Sequence, residues 1–185
     1  MTASDSPSPR GATLWFIGLP SAGKSTVARA VADRLRADGR AVELLDGDEV
    51  RPHLSQGLGY SKEDRDINVA RIGYVARLLA RNGVLALVPV VAPYREARDA
   101  VRQAHDKDGA SYLEIFVSTP LDVCADRDVK GLYAKAARGE MTGMTGVDDP
   151  YEEPLAPDVT LPTQELPLTE SVEMLYDVLR ERGLL

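Results

Sequence analysis

Between Gly18 and Ser25 the chain reads Gly-Leu-Pro-Ser-Ala-Gly-Lys-Ser, the spacing G-x-x-x-x-G-K-[ST]. Each position has a task in holding phosphate. Gly18 and Gly23 lack the Cβ that blocks positive φ, so the loop through Leu19, Pro20, Ser21 and Ala22 can turn its N–H groups inward around an anion. Lys24 brings a full positive charge to the outer phosphates, and the Ser25 hydroxyl is suited to Mg²⁺. With Thr26, these residues open a helix whose positive end adds to the field. A chance Gly/Ser turn would not have an apolar run, Leu14 to Ile17, on one side and a helical pattern on the other. The implied ligand is a nucleoside triphosphate such as ATP.

Such a loop binds nucleotide without fixing the reaction. Phosphoryl transfer also needs a carboxylate near Mg²⁺ and the acceptor hydroxyl. The apolar runs 84–91 and 112–118 end in Ala92-Pro93 and Thr119-Pro120, neither of which offers an acid. Only 41–45 runs into acids, Asp46-Gly47-Asp48, so the pair takes the role by elimination, against the plainer reading of an Asp-Gly turn. Asp48 is the candidate base and, with Ser25, the candidate metal ligand. Beyond it, Arg51, Arg65 and Asn68 can grip an acidic acceptor, Arg being suited to bidentate contact with phosphate-like oxygens. Arg71, Arg77 and Arg81 are read as solvated helix charges.

These groups must be positioned by strands and helices in alternation. Val27, Val31 and Leu35 form one stripe of a helix over 24–36, closed by Gly39. A short strand at 41–45 precedes a short helix over 49–55, despite Pro52. Ser61, with Asp64 three residues on, caps a long helix to about Ala80 that shows Asn68, Ile72, Val75 and Leu79 on one face. Strands at 84–91, 112–118 and 159–161 alternate with helices at 96–105, 121–127 and 169–182. Five strands in this order predict an α/β, doubly wound and mostly parallel sheet. The segment 127–151, where Arg127, Lys130, Lys135 and Arg138 stand among glycines, reads as a mobile lid.

The 185 residues fit one domain over 11–185 behind a Ser/Pro-rich, disordered tail at 1–10. A formal net charge of -7 leaves no broad basic face for nucleic acid. The longest apolar run, 84–92, is too short to span a bilayer. A single cysteine, Cys124, is read as a small core residue and suits a reducing cytoplasm.

Several blocks occur in one order: the phosphate loop, Asp46-Gly47-Asp48-Glu49-Val50-Arg51, Leu58-Gly59-Tyr60-Ser61 with Glu63-Asp64-Arg65 and Asn68, Pro93-Tyr94-Arg95, 127–133 and 145–152. Together they resemble the adenylyl-sulfate kinase family over about 12–182. The resemblance implies transfer of the ATP γ-phosphate, with Mg²⁺, to the 3'-hydroxyl of adenosine 5'-phosphosulfate in sulfate activation. It implies that Arg127 joins the ATP-binding residues and that Asp46, Arg51, Arg65 and Asn68 hold the acceptor. Lys130 resembles a lid lysine near the acceptor, and Tyr60 and Met144 fall where the family usually has two Phe rings around its adenine. A homodimer and functional coupling to ATP sulfurylase are also implied. Four positions depart: Ala92 where the family often has Ser, Glu49 and Pro52 around Val50-Arg51, and Met144. Two alternatives stay open, a kinase for another nucleotide or small alcohol, and a non-catalytic nucleotide-binding module.

Overall fold

The computed structural model describes residues 10–185, so the tail expected at 1–10 lies almost wholly outside the described residues. Strand β1 (Ala12–Ile17) is buried at all six positions and occupies the centre of a five-stranded sheet of order β2-β3-β1-β4-β5. Its neighbours are β3 (Leu85–Pro89) and β4 (Ser111–Val117), while β2 (Val42–Leu44) and β5 (Val159–Leu161) form the edges. Every pairing is parallel, as continuous apolar strands joined by helices require. The order reverses between β1 and β3, which opens a crevice at the strands' carboxyl ends, where ligands bind in this architecture.

Successive residues of β1 point to opposite faces. Leu14 and Phe16 pack with Val27, Val31 and Leu35 of α1 (Lys24–Ala37) and with Val172, Leu175 and Leu179 of α7 (Leu168–Glu181). Trp15 and Ile17 pack on the other face with Val69 and Ile72 of α3 (Lys62–Arg81) and Val101 of α4 (Arg95–Lys107).

Three local readings need correction. Helix α2 (Gly47–Leu54) starts two residues earlier than expected, because the Asp46 side chain accepts the Asp48 N–H and caps it there. The buried stripe of α3 is Val69, Ile72, Gly73, Ala76 and Ala80, not the Asn68, Ile72, Val75 and Leu79 face. Small side chains prevail there because α4 crosses closely: a Cβ on Gly73 would lie 2.7 Å from a Val101 methyl. Finally, α5 (Leu121–Arg127) is followed by α6 (Leu132–Ala137), a helix absent from the sequence reading. The 127–151 segment is also partly core, since Tyr133 and Met144 join the main apolar cluster.

Candidate active site

A cavity of about 670 Å³ opens over the carboxyl ends of the strands, lined by the phosphate loop, by α2 and α3, and by the 129–145 segment, which also touches the loop through Val129 and Tyr133. The loop takes the anion-cradling conformation. Gly18 and Gly23 have φ of 145° and 106°, and a Cβ on Gly18 would meet the Val117 carbonyl at 2.5 Å. Lys24 is 8 % exposed, and its ammonium donates to the Gly18 and Leu19 carbonyls at 2.9 and 2.7 Å. Burial pulls its pKa down from 10.5 to about 8. The ammonium thus lies folded over its own loop, buried rather than solvated.

The outer carbonyls of the loop are braced by Arg127 and by residues that the sequence did not single out, Thr119, Thr163 and Tyr133. The Ala22 carbonyl accepts from Thr119 Oγ1 at 2.8 Å, Thr163 Oγ1 at 2.7 Å and Arg127 Nη1 at 3.2 Å. Tyr133 donates its hydroxyl to the Pro20 carbonyl at 3.0 Å, and the Val129 N–H donates to Ser21 Oγ at 3.3 Å. Carbonyls fixed outward leave the N–H groups of the same peptides facing inward. Arg127 therefore lines the cavity while its guanidinium holds Ala22 and Thr163. A lone Thr after a strand carries no spacing signal, so Thr119 and Thr163, at the ends of β4 and β5, are not legible as a brace.

Asp46 and Asp48 sit at the end of β2, as expected. Asp46 is 3 % exposed, caps α2 and receives Arg29 at 3.4 Å. Asp48 is exposed in the cavity mouth and is paired with Lys130 from the far side. Among the described residues no group of three or more His, Cys, Asp and Glu forms a metal cluster. The donor set at the cavity is a hydroxyl, Ser25, with two carboxylates. This fits Mg²⁺, which keeps several waters and takes one or two carboxylates together with substrate phosphates.

At the opposite end Tyr60 is 55 % exposed with the Arg51 guanidinium 4.3 Å from its ring centre. Arg65 donates to the Tyr60 carbonyl at 2.9 Å and to the Gly143 carbonyl at 2.6 Å, tying the start of α3 to the 127–151 segment. Asn68 accepts from Ser55 Oγ at 2.5 Å, which leaves its amide N–H₂ to face the cavity. Met144 lines the same cavity but is 1 % exposed. Its turn is held by Asp148, whose carboxylate accepts the Gly143 and Met144 N–H groups at 2.8 and 2.6 Å and is thereby kept below the usual Asp pKa range. Tyr60 and Met144 thus both line the cavity, Tyr60 at the open rim and Met144 against the core.

The cavity is therefore bipolar: a phosphate cradle at one end, an Arg- and aromatic-lined recess at the other, and Asp48 between them. Over residues 10–162 the chain matches the family model described as adenylylsulphate kinase. It belongs to the adenylyl-sulfate kinase family. The adenylyl-sulfate kinase of Picosynechococcus sp. is 52 % identical over 174 residues, covering 94 % of this chain and 96 % of that protein. That of Chloroflexus aurantiacus is 54 % identical over 169 residues, covering 91 % and 89 %. Among solved structures, the Mycobacterium tuberculosis APS kinase in complex with AMPPNP and APS superposes with a TM-score of 0.89 at 44 % identity, covering 93 % of this chain and 99 % of that one. No helix among the described residues is long and apolar enough to cross a membrane.

Proposed function

We propose that this chain is an ATP-dependent kinase that phosphorylates the 3'-hydroxyl of adenosine 5'-phosphosulfate. The observation that carries the reading is the single exposed carboxylate, Asp48, standing between a phosphate cradle and a recess that presents Arg51, Arg65 and Tyr60. In that geometry the acceptor oxygen attacks the γ-phosphorus in line, the bond to the β–γ bridging oxygen breaks, and the hydroxyl proton passes to Asp48. Lys24 leaves the Gly18 and Leu19 carbonyls for the transferred phosphoryl group. Ser25 and, partly through water, Asp48 would hold Mg²⁺, which would supply charge neutralisation to the transferring phosphates. Lys130 exchanges Asp48 for the acceptor's anionic group, which uncovers the base only when the acceptor is present. Arg51, Arg65, Asn68 and, through the end of α2, Asp46 order the phosphosulfate end, while Tyr60 and Met144 take the two faces of the adenine.

The segment 127–151 serves as the lid of one kinase domain spanning 11–185, closing over both ligands and excluding water. The reaction uses cytoplasmic ATP. Its acceptor is made by adenylyl transfer from ATP to sulfate, the step through which the chain is coupled to an ATP sulfurylase, and the working unit is a homodimer. Steady-state transfer from ATP should be compared across adenosine 5'-phosphosulfate, AMP and small polyols. Preference for the phosphosulfate by kcat/KM supports the reading; preference for a polyol, or no transfer to any acceptor, overturns it.

A further inference from the structure

Arg98 lies on α4, outside the cavity, yet its side chain is 1 % exposed. It forms an ion pair with Glu114 of β4, Nε to Oε1, at 3.2 Å. Its two remaining arms are spent on backbone: Nη1 donates to the Ala92 carbonyl at 2.7 Å and Nη2 to the Glu152 carbonyl at 2.6 Å. Ala92 is in the left-handed region, at φ 42°, a conformation that a residue with a Cβ keeps only when its surroundings impose it. With Pro93 it forms a wall of the cavity. Glu152 is the first residue beyond the lid and is laid along the same turn, its N–H donating to the Pro93 carbonyl at 2.9 Å and its carboxylate accepting the Arg95 N–H at 2.8 Å. Tyr94 extends the strap by donating to Asp149 at 3.0 Å.

We propose that Arg98 is a positioning residue for the acceptor end of the site: from behind the sheet it sets the Ala92-Pro93 wall and anchors the returning end of the lid to it. A planar guanidinium suits this role because its three nitrogens, spread in a fixed fork, reach two carbonyls and one carboxylate in different directions, whereas the three donors of an ammonium all sit on one nitrogen. Burial pushes the Glu114 carboxyl upward in pKa, with Arg98 and then Arg102 opposing it. The strap joins wall and lid but touches neither the phosphate loop nor Lys24. Its hydrogen bonds end on the wall and on the returning end of the lid, so its loss should be felt more by the acceptor than by ATP. This inference rests on the kinase reading above, which wild-type transfer to adenosine 5'-phosphosulfate checks separately.

Removing Arg98 alone strands a buried carboxylate and endangers the fold. The informative variant is therefore Arg98→Met with Glu114→Gln, which removes both charges and keeps the volume. Expected in the full chain are a single cooperative melting transition at a lower temperature, because the Ala92 and Glu152 carbonyls lose their donors, a KM for adenosine 5'-phosphosulfate raised about tenfold, as loss of about 1.4 kcal/mol of acceptor binding requires, and a much smaller change in the KM for ATP. The acceptor should also no longer protect the exposed Lys135 and Arg138 of the lid from trypsin. Arg98→Lys should fold but fail to restore the acceptor KM. A folded double variant with wild-type acceptor KM and wild-type protection of the lid, or equal increases in both KM values, would overturn the proposal. Rescue by Arg98→Lys would do so too.

Discussion

Lys24 is buried at a cost that should be measurable as a function of pH. Its pKa falls from 10.5 to about 8 because the ammonium is buried. At 1.36 kcal/mol per pH unit, that drop limits the penalty for keeping the charge folded below pH 8 to about 3 kcal/mol. The sign follows from linkage: between pH 8 and 10.5 the unfolded chain holds more protons at this group than the folded one, so stability rises with pH across that window. Above about pH 10 the trend should reverse, because burial raises Tyr112, Tyr133, Tyr151 and Tyr176 and they stay protonated in the fold while the unfolded tyrosines ionise. Lys24→Met removes the charge at nearly equal volume. It leaves the Gly18 carbonyl without its donor, a loss of about 1–3 kcal/mol, while the Leu19 carbonyl keeps the Ala22 N–H. The nucleotide-free variant should therefore be as stable as wild type or up to about 2 kcal/mol more so at pH 7, and turnover should fall at least tenfold. Its stability should lose the rise between pH 8 and 10. Urea unfolding at pH 7, 8, 9 and 10 reads both effects. Calorimetry in two buffers at pH 8 adds a third, since triphosphate binding should restore the ammonium and take up about half a proton. A Lys24→Met protein destabilised by more than about 2 kcal/mol, or a wild type whose stability is flat from pH 8 to 10, would refute the reasoning.

Further outcomes follow from the same geometry. Asp48→Asn should lower turnover far more than it weakens ATP binding, since an amide keeps the shape but cannot take the hydroxyl proton; Asp46→Asn, compared by kcat, should be the milder, and the reverse order would exchange their roles. Tyr60→Ala should raise the acceptor KM about tenfold through loss of stacking worth roughly 1–3 kcal/mol, with the ATP KM unmoved. Thr163→Val should raise the ATP KM several-fold and Thr163→Ser should restore it, because the hydroxyl, not the methyl, holds the Ala22 carbonyl; equal KM values for the two variants would remove Thr163 from the brace.

Much of the fold is legible in the sequence because its signals are local. The five apolar runs, the Ser61 cap and the glycines that stop helices α1 and α3 act within a turn of chain and lead to the correct order of the five strands and of every helix but α6. Gly18, Gly23, Lys24 and Ser25 are legible for the same reason, since a phosphate cradle is built from consecutive peptides. What the sequence hides is long-range. Thr119, Thr163 and Tyr133 meet the phosphate loop from three separate segments, and no pattern of spacing marks them. The lid looked like a glycine-rich cover, yet Tyr133 and Met144 are buried, because α6 turns one apolar face onto the main cluster. Arg98 is not singled out in the sequence, because the carbonyls it serves, Ala92 and Glu152, lie six and fifty-four residues away.

The central claim, a γ-phosphoryl transfer to one hydroxyl of one sulfated nucleotide, is tested most directly by the position of the new phosphate. Incubation of the purified chain with ATP, Mg²⁺ and adenosine 5'-phosphosulfate, followed by phosphorus NMR of the product, should show one new monoester coupled to the ribose 3'-proton and a matching amount of ADP. ADP formed without a 3'-monoester, or a monoester on any other hydroxyl, would contradict the account.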